Sequence, residues 1–172
     1  MSTPASQSQV GGPGQTTSGE RLAADARAAA FGRIIALLMI SPRHADMTLR
    51  EAQAFVAPAI AHGQLAILGK QTGETGTPEL AAAAWWAMVS PEVDERLTKS
   101  SDARLALAAD EWRSGDQPWI VETIGEAELI NELVKRLAER TFTGKPAKLR
   151  AHLPDGRVAI GRIERKAPEG NK

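Results

Sequence analysis

The chain has 172 residues, 21 Lys and Arg against 21 Asp and Glu, and no cysteine. That length suits one domain with a full hydrophobic core, and the balanced, scattered charge argues against nucleic acid or an anionic membrane surface as a partner. The missing cysteine removes thiol nucleophiles, disulfides and thiolate metal sites together.

Residues 1–19 are mostly Ser, Thr, Gln, Gly and Pro, too poor in apolar side chains to offset their ordering entropy, so a disordered tail is expected there. A single folded domain is expected over 20–165 and a flexible tail over 166–172. The N-terminus shows no basic stretch followed by an apolar core, and no apolar run approaches the roughly 20 residues of a membrane span. A soluble, cytoplasmic protein without a membrane span is the expectation.

Leu22, Ala26, Ala29, Ile34, Leu37, Leu38 and Met39 recur at helical spacing among alanines, which predicts a first helix. Pro42 ends it, because the residue before a proline avoids the helical region and proline cannot donate to the preceding turn. Thr48-Leu49-Arg50-Glu51 is a capping box that opens a second helix, Leu49 to His62, with Ala52, Phe55, Val56, Ala59 and Ile60 inward, a kink at Pro58, and Gly63 as its C-terminal cap. His44 therefore falls in a short connection between two helices.

Gln64–Leu68 and Leu80–Val89 read as an antiparallel strand pair joined by a Gly- and Thr-rich link over 69–78. Ser90 caps a helix with Pro91 at its first position. The state of Leu105–Ala109 stays open. Asp110–Trp119 is polar and turn-forming, and Trp119–Ile124 is a strand. Glu126–Arg140 is an amphipathic helix with Leu129, Ile130, Leu133, Val134 and Leu137 inward. Lys148–Leu153 and Arg157–Ile163 form a hairpin around Pro154-Asp155-Gly156. The class is α/β (α+β), a mostly antiparallel central sheet flanked by helices.

Taken from the residues alone, His44 is either a reactive imidazole on a rigid connection or a polar group that serves the helix end. Three dispersed histidines offer no metal cluster, and no cofactor-binding residue stands out.

Three segments together resemble the toxin-activating lysine acyltransferases, which acylate lysines of RTX (repeat-in-toxin) proteins. They are Gly32–His44 with its Ser41-Pro42-x-His44, Ala57-Pro-Ala-Ile60 with Gly63-Gln64, and Trp86–Ser90 continuing into Asp110-Glu-Trp-Arg-Ser-Gly-Asp-Gln-Pro-Trp119. The resemblance covers roughly 30–164 and implies a fold similar to the GNAT acetyltransferases. It implies no bound cofactor, a fatty acyl–acyl carrier protein as donor, and transfer to a lysine amine of an RTX-type protein. The implied partners are therefore the carrier protein and that acceptor; some family members dimerise, so a homodimer is compatible.

His44 matches the family's essential histidine and is the candidate general base. Ser41 matches the serine before it, with three readings: it orients His44, it donates to a developing oxyanion, or it only ends the helix. The family's acidic partner, an aspartate three residues after the strand tryptophan, corresponds to Glu122, one methylene longer; otherwise Glu122 is a solvent-facing strand residue. His62 and His152 have no such setting. Trp112 and Trp119 read as core, and Asp116 as a turn former. The chain departs from the family at Ile124-Gly-Glu-Ala-Glu128, where Ile-Ala-Pro-Phe-Gly is usual, and in lacking a tryptophan near Ala36. These departures keep a second reading open, that of a non-catalytic or retargeted relative that binds a partner protein or an acyl chain.

Overall fold

Thr17 opens the first helix, α1 (Ser18–Ile40). Its hydroxyl accepts from the Glu20 amide, and the Glu20 carboxylate accepts from the Thr17 amide, a capping box that fixes two otherwise orphaned donors. The structure is a computed structural model that describes residues 17–70, 79–100, 107–142, 145–152 and 158–163. Helix formation thus begins before Glu20, where the sequence places the start of the folded part. Most of both expected tails, the link over 71–78, and the Pro154-Asp155-Gly156 turn lie outside the described residues.

A 3-10 turn (Pro42–His44) follows α1, and then α2 (Leu49–Ala61), opened by the expected Thr48–Glu51 capping box. Gly63, at φ +66°, closes α2. Its amide donates to Ile60 O, and the Gln64 amide reaches back to Ala59 O. This is the Schellman arrangement, which needs a left-handed residue and so favours glycine.

The strands are β1 (Leu65–Lys70), β2 (Glu79–Val89), β3 (Gln117–Gly125), β4 (Ala147–His152) and β5 (Val158–Ile163), in one sheet of order β1-β2-β3-β4-β5. Helix α3 (Pro91–Lys99) links β2 towards β3 and is capped by Ser90. Helix α4 (Ala127–Arg140) carries the chain from β3 to β4. Because that crossover intervenes, β3 and β4 pair in parallel, through Trp119↔Lys148 and Ile120↔Leu149, while every other neighbouring pair is antiparallel. Mixed α/β architecture with a mostly antiparallel sheet is what the sequence patterns require.

Two apolar clusters fill the two faces of the sheet. Trp85, Ala87, Val89, Trp119, Val121 and Ile124 pack with side chains of α1, α2 and α3. Trp86, Ala84, Ile120 and Ala147 pack with Leu133 and Leu137 of α4 and with Phe142. The adjacent Trp85 and Trp86 therefore anchor opposite layers, as strand alternation demands. Full burial of a large apolar side chain contributes about 1.5–3 kcal/mol, which places much of the stability in these residues.

Only the second half of α1 is buried. Leu22 is 72% exposed, and residues 17–29 of α1 are exposed throughout; only Ile34, Leu37 and Leu38 of this helix are fully buried. Alanine-rich propensity and the cap support the first half of α1, while packing holds the second.

Candidate functional site

The end of α1 builds the first half of the site. Ser41 leaves the helix with extended backbone (φ −88°, ψ 118°), its amide still donating to Leu38 O. Pro42 starts the 3-10 turn, closed by the His44 amide donating to Ser41 O at 2.9 Å. This turn folds the side chains at its two ends together, so that Ser41 Oγ lies 2.9 Å from His44 Nδ1. His44 is only 4% exposed. Its ring lies 6.3 Å from that of Phe55 on α2, which meets Trp85 edge-on at 5.3 Å, so packing fixes the imidazole from behind.

Strand β3 supplies the second half. Trp85 of β2 pairs with Glu122 and Trp86 with Ile120, so Val121 is an extra residue, a β-bulge. Trp119, Val121 and Ile124 all join the cluster under α1 and α2. Strict alternation from Trp119 would send Glu122 to the opposite face. The bulge breaks the alternation and turns Glu122 onto the face of its partner Trp85, where His44 lies; bulges re-aim side chains in this way.

Glu122 Oε2 is 3.2 Å from His44 Nε2. Its other oxygen, Oε1, accepts from Arg43 Nη2 at 3.0 Å and from the Thr123 amide at 2.9 Å. Arg43 Nη2 also donates to Thr123 O at 3.2 Å. Burial alone would raise the Glu122 pKa; the His44 hydrogen bond, the Arg43 charge and the Thr123 amide outweigh it and hold the carboxyl below its ordinary value. An ionised carboxylate only accepts, so Nε2 carries a proton and donates to Oε2. In the neutral imidazole, Nδ1 is then the acceptor for the Ser41 hydroxyl; when His44 is protonated the same bond reverses, with Nδ1–H donating to Oγ. Both protonation states keep both partners. That is what an imidazole needs to take up and release a proton without moving.

A cavity of about 660 Å³ opens beside this arrangement. Leu37, Ile40, Leu80, Ile124 and Ile130 give it apolar walls, Ser41, Arg43 and Thr123 line it, and Glu79, Lys70 and Glu126 stand among its charged residues. His44 is not among the lining residues, whereas Ser41 is. Ser41 is thus both a residue of the cavity wall and the partner of His44 Nδ1.

The structure thus brings Ser41, His44 and Glu122 together. Arg43 is the member that sequence reading passed over; it occupies the open position of Ser-Pro-x-His, and no local pattern announces a contact with a residue 79 positions away. His62 is exposed at the end of α2; nothing is described of the His152 side chain. Trp112 and Trp119 are core residues at 1% and 0% exposure, and the Trp119 indole donates to Asp94 at 2.7 Å. Asp116 is exposed and pairs with Lys145 at 2.6 Å.

The rest of the Asp-x-Trp-x-Ser-Gly-Asp segment is architectural. Met88 N donates to Trp112 O, Gly115 N donates to Met88 O, and Ser114 Oγ accepts from Ser90 N. A side chain at Gly115 would place Cβ 2.4 Å from Val89 O, so only glycine allows this approach. Glu126, at the N-cap position of α4, makes no side-chain cap; it pairs with Lys70 at 3.1 Å. Ala36 is exposed. Among the described residues, no group of three or more His, Asp or Glu gathers as a metal site, and no helix is long and apolar enough to cross a membrane.

The sequence model of the RTX toxin acyltransferase family matches residues 24–165, a span that contains Ser41, Arg43, His44 and Glu122. No curated protein matches the chain.

Proposed function

The chain belongs to the RTX toxin acyltransferase family, and from that premise we propose that it moves a fatty acyl group from an acyl–acyl carrier protein to a lysine of an RTX-type protoxin. The lysine nitrogen attacks the thioester carbonyl, a C–N bond forms, and the C–S bond breaks; the departing pantetheine sulfur takes up the second proton, which the nitrogen sheds on becoming an amide, and leaves as the thiol. A lysine of reference pKa ~10.4 arrives as an ammonium and must shed a proton to attack. His44 is the general base for that proton, and Glu122 steadies the imidazolium that results.

The observation that carries this reading is the line of contacts Ser41 Oγ, His44 Nδ1, His44 Nε2, Glu122 Oε2, at 2.9 and 3.2 Å, with only the serine end at the cavity. In this arrangement Ser41 relays: its oxygen accepts the amine proton as its own hydroxyl proton passes to Nδ1. The apolar cavity walls suit an acyl chain or the methylenes of a lysine. Reliance on acyl carrier protein assigns the reaction to the cytoplasm.

The test incubates a candidate RTX acceptor with long-chain acyl–acyl carrier protein and this chain, and reads the acceptor's intact mass beside a His44→Ala control. An acyl-sized gain that vanishes in the control is expected. A gain that survives the substitution overturns the assignment of the base. No gain with any donor or acceptor overturns the transferase reading and favours a relative that only binds.

A further inference from the structure

Glu122 reaches His44 from the end of a side chain with three rotatable torsions, so the side chain alone does not fix the orientation in which its carboxylate meets the imidazole. Two donors resolve this. The Thr123 amide and Arg43 Nη2 both bind Oε1, at 2.9 and 3.0 Å, which leaves Oε2 for Nε2. The second hydrogen of Nη2 reaches Thr123 O at 3.2 Å. One guanidinium nitrogen therefore grips two consecutive residues of the bulged part of β3, from the position next to His44 in sequence. The base and the anchor of its carboxylate belong to one 3-10 turn.

We propose that Arg43 is a positioning residue that orients the Glu122 carboxylate towards His44, and that Arg43 and Glu122 form a matched pair. The Arg43 side chain is 49% exposed, against 12% for Glu122 and 2% for His44. It acts from the cavity wall, through Glu122 and the Thr123 carbonyl. Its catalytic consequence rests on His44 being the base; its structural consequence does not.

The structural half is tested on the full chain by long-range 1H–15N NMR of the imidazoles, with His44 assigned through His44→Gln and the fold checked by the Trp119 indole resonance. The wild type is expected to show one His44 tautomer, protonated at Nε2. In Arg43→Gln the His44 signals are expected to move or to become a mixture of tautomers while the indole signal stays. Unchanged His44 signals overturn the proposal, whatever the chain's activity.

The catalytic half is a double-mutant cycle in the acyl-transfer assay. Arg43→Gln is expected to lower kcat about 10- to 100-fold, as small misplacements of a reacting group do, with the donor KM unchanged. The same substitution in a Glu122→Gln background, where no carboxylate remains to be positioned, is expected to change kcat by less than about twofold. An equal loss in both backgrounds overturns the pairing. A wild type without transfer activity overturns the proposed function instead, and the NMR result still decides the role of Arg43.

Discussion

Glu122 faces His44 because it lies directly across the sheet from Trp85. The tryptophan supports the site on both sides: it meets Phe55 edge-on, which backs the imidazole, and it sets the register that carries the carboxylate. Replacing this fully buried ring is expected to cost about 3–5 kcal/mol. Urea unfolding of Trp85→Ala measures the loss, and a cost under about 1 kcal/mol would remove Trp85 as the common support.

The three contacting side chains should fail to different degrees. His44→Ala is expected to lower kcat about 10²- to 10⁴-fold, the usual range for a lost general base. Ser41→Ala removes the hydroxyl that meets Nδ1, with an expected loss of about 10-fold or more. Glu122→Asp keeps the charge but withdraws it by one methylene, and kcat should fall by about 10- to 100-fold. Steady-state kinetics with saturating acyl donor checks all three; an unchanged Ser41→Ala would reduce that residue to a helix terminator.

Stability should depend on Glu122 in acid. Its folded pKa is lowered, so near that range the unfolded chain binds more protons and stability rises with pH. The contribution is fully present above the unfolded value near ~4.3 and is lost as pH falls through the lower folded value. Urea unfolding of wild type and Glu122→Gln across that range provides the check. The difference between them should hold above about pH 5 and shrink below about pH 4; a constant difference would contradict the depressed pKa.

Gly115 admits no side chain, since the Cβ of an alanine would meet Val89 O at 2.4 Å and Ser90 Cα at 2.6 Å, both backbone atoms. Gly115→Ala is expected to cost about 1–3 kcal/mol through overpacking, measured by denaturant unfolding. His44 should keep its NMR signature, because Gly115 touches the start of α3 and not the 3-10 turn. A loss of that signature would show that the segment supports the site directly.

Local chemistry made much of the fold legible. Thr48 with Glu51, Gly63, and Ser90 with Pro91 each fix a helix boundary through a backbone donor or a left-handed residue, and these act over a few positions. The Thr17–Glu20 capping box was equally readable, but the polar composition around it masked it. The exposure of Leu22 was not readable, because helical spacing reports a face and not whether another element covers it. Ser41 and His44 meet through a turn that Ser-Pro already signals. Glu122 is different: alternation from Trp119 points it the wrong way, and only the family resemblance selected it. The bulge at Val121 arises from pairing between two strands, and the Arg43 contact spans 79 positions. Such long-range relationships leave no mark in a local pattern.

The sheet is laid down in the order in which its strands are synthesised, each beside its predecessor. The turn that carries the imidazole emerges from the ribosome long before the strand that carries its carboxylate; the layer around Trp85 lacks Trp119 and Val121 until that strand arrives, and the layer around Trp86 also needs α4 and β4, which follow it. A nascent chain that stops short of residue 122 therefore holds a histidine with no acid beside it. Pairing of β3 with β2 therefore seats Trp119 in the layer around Trp85 and brings Glu122 beside the imidazole in the same step.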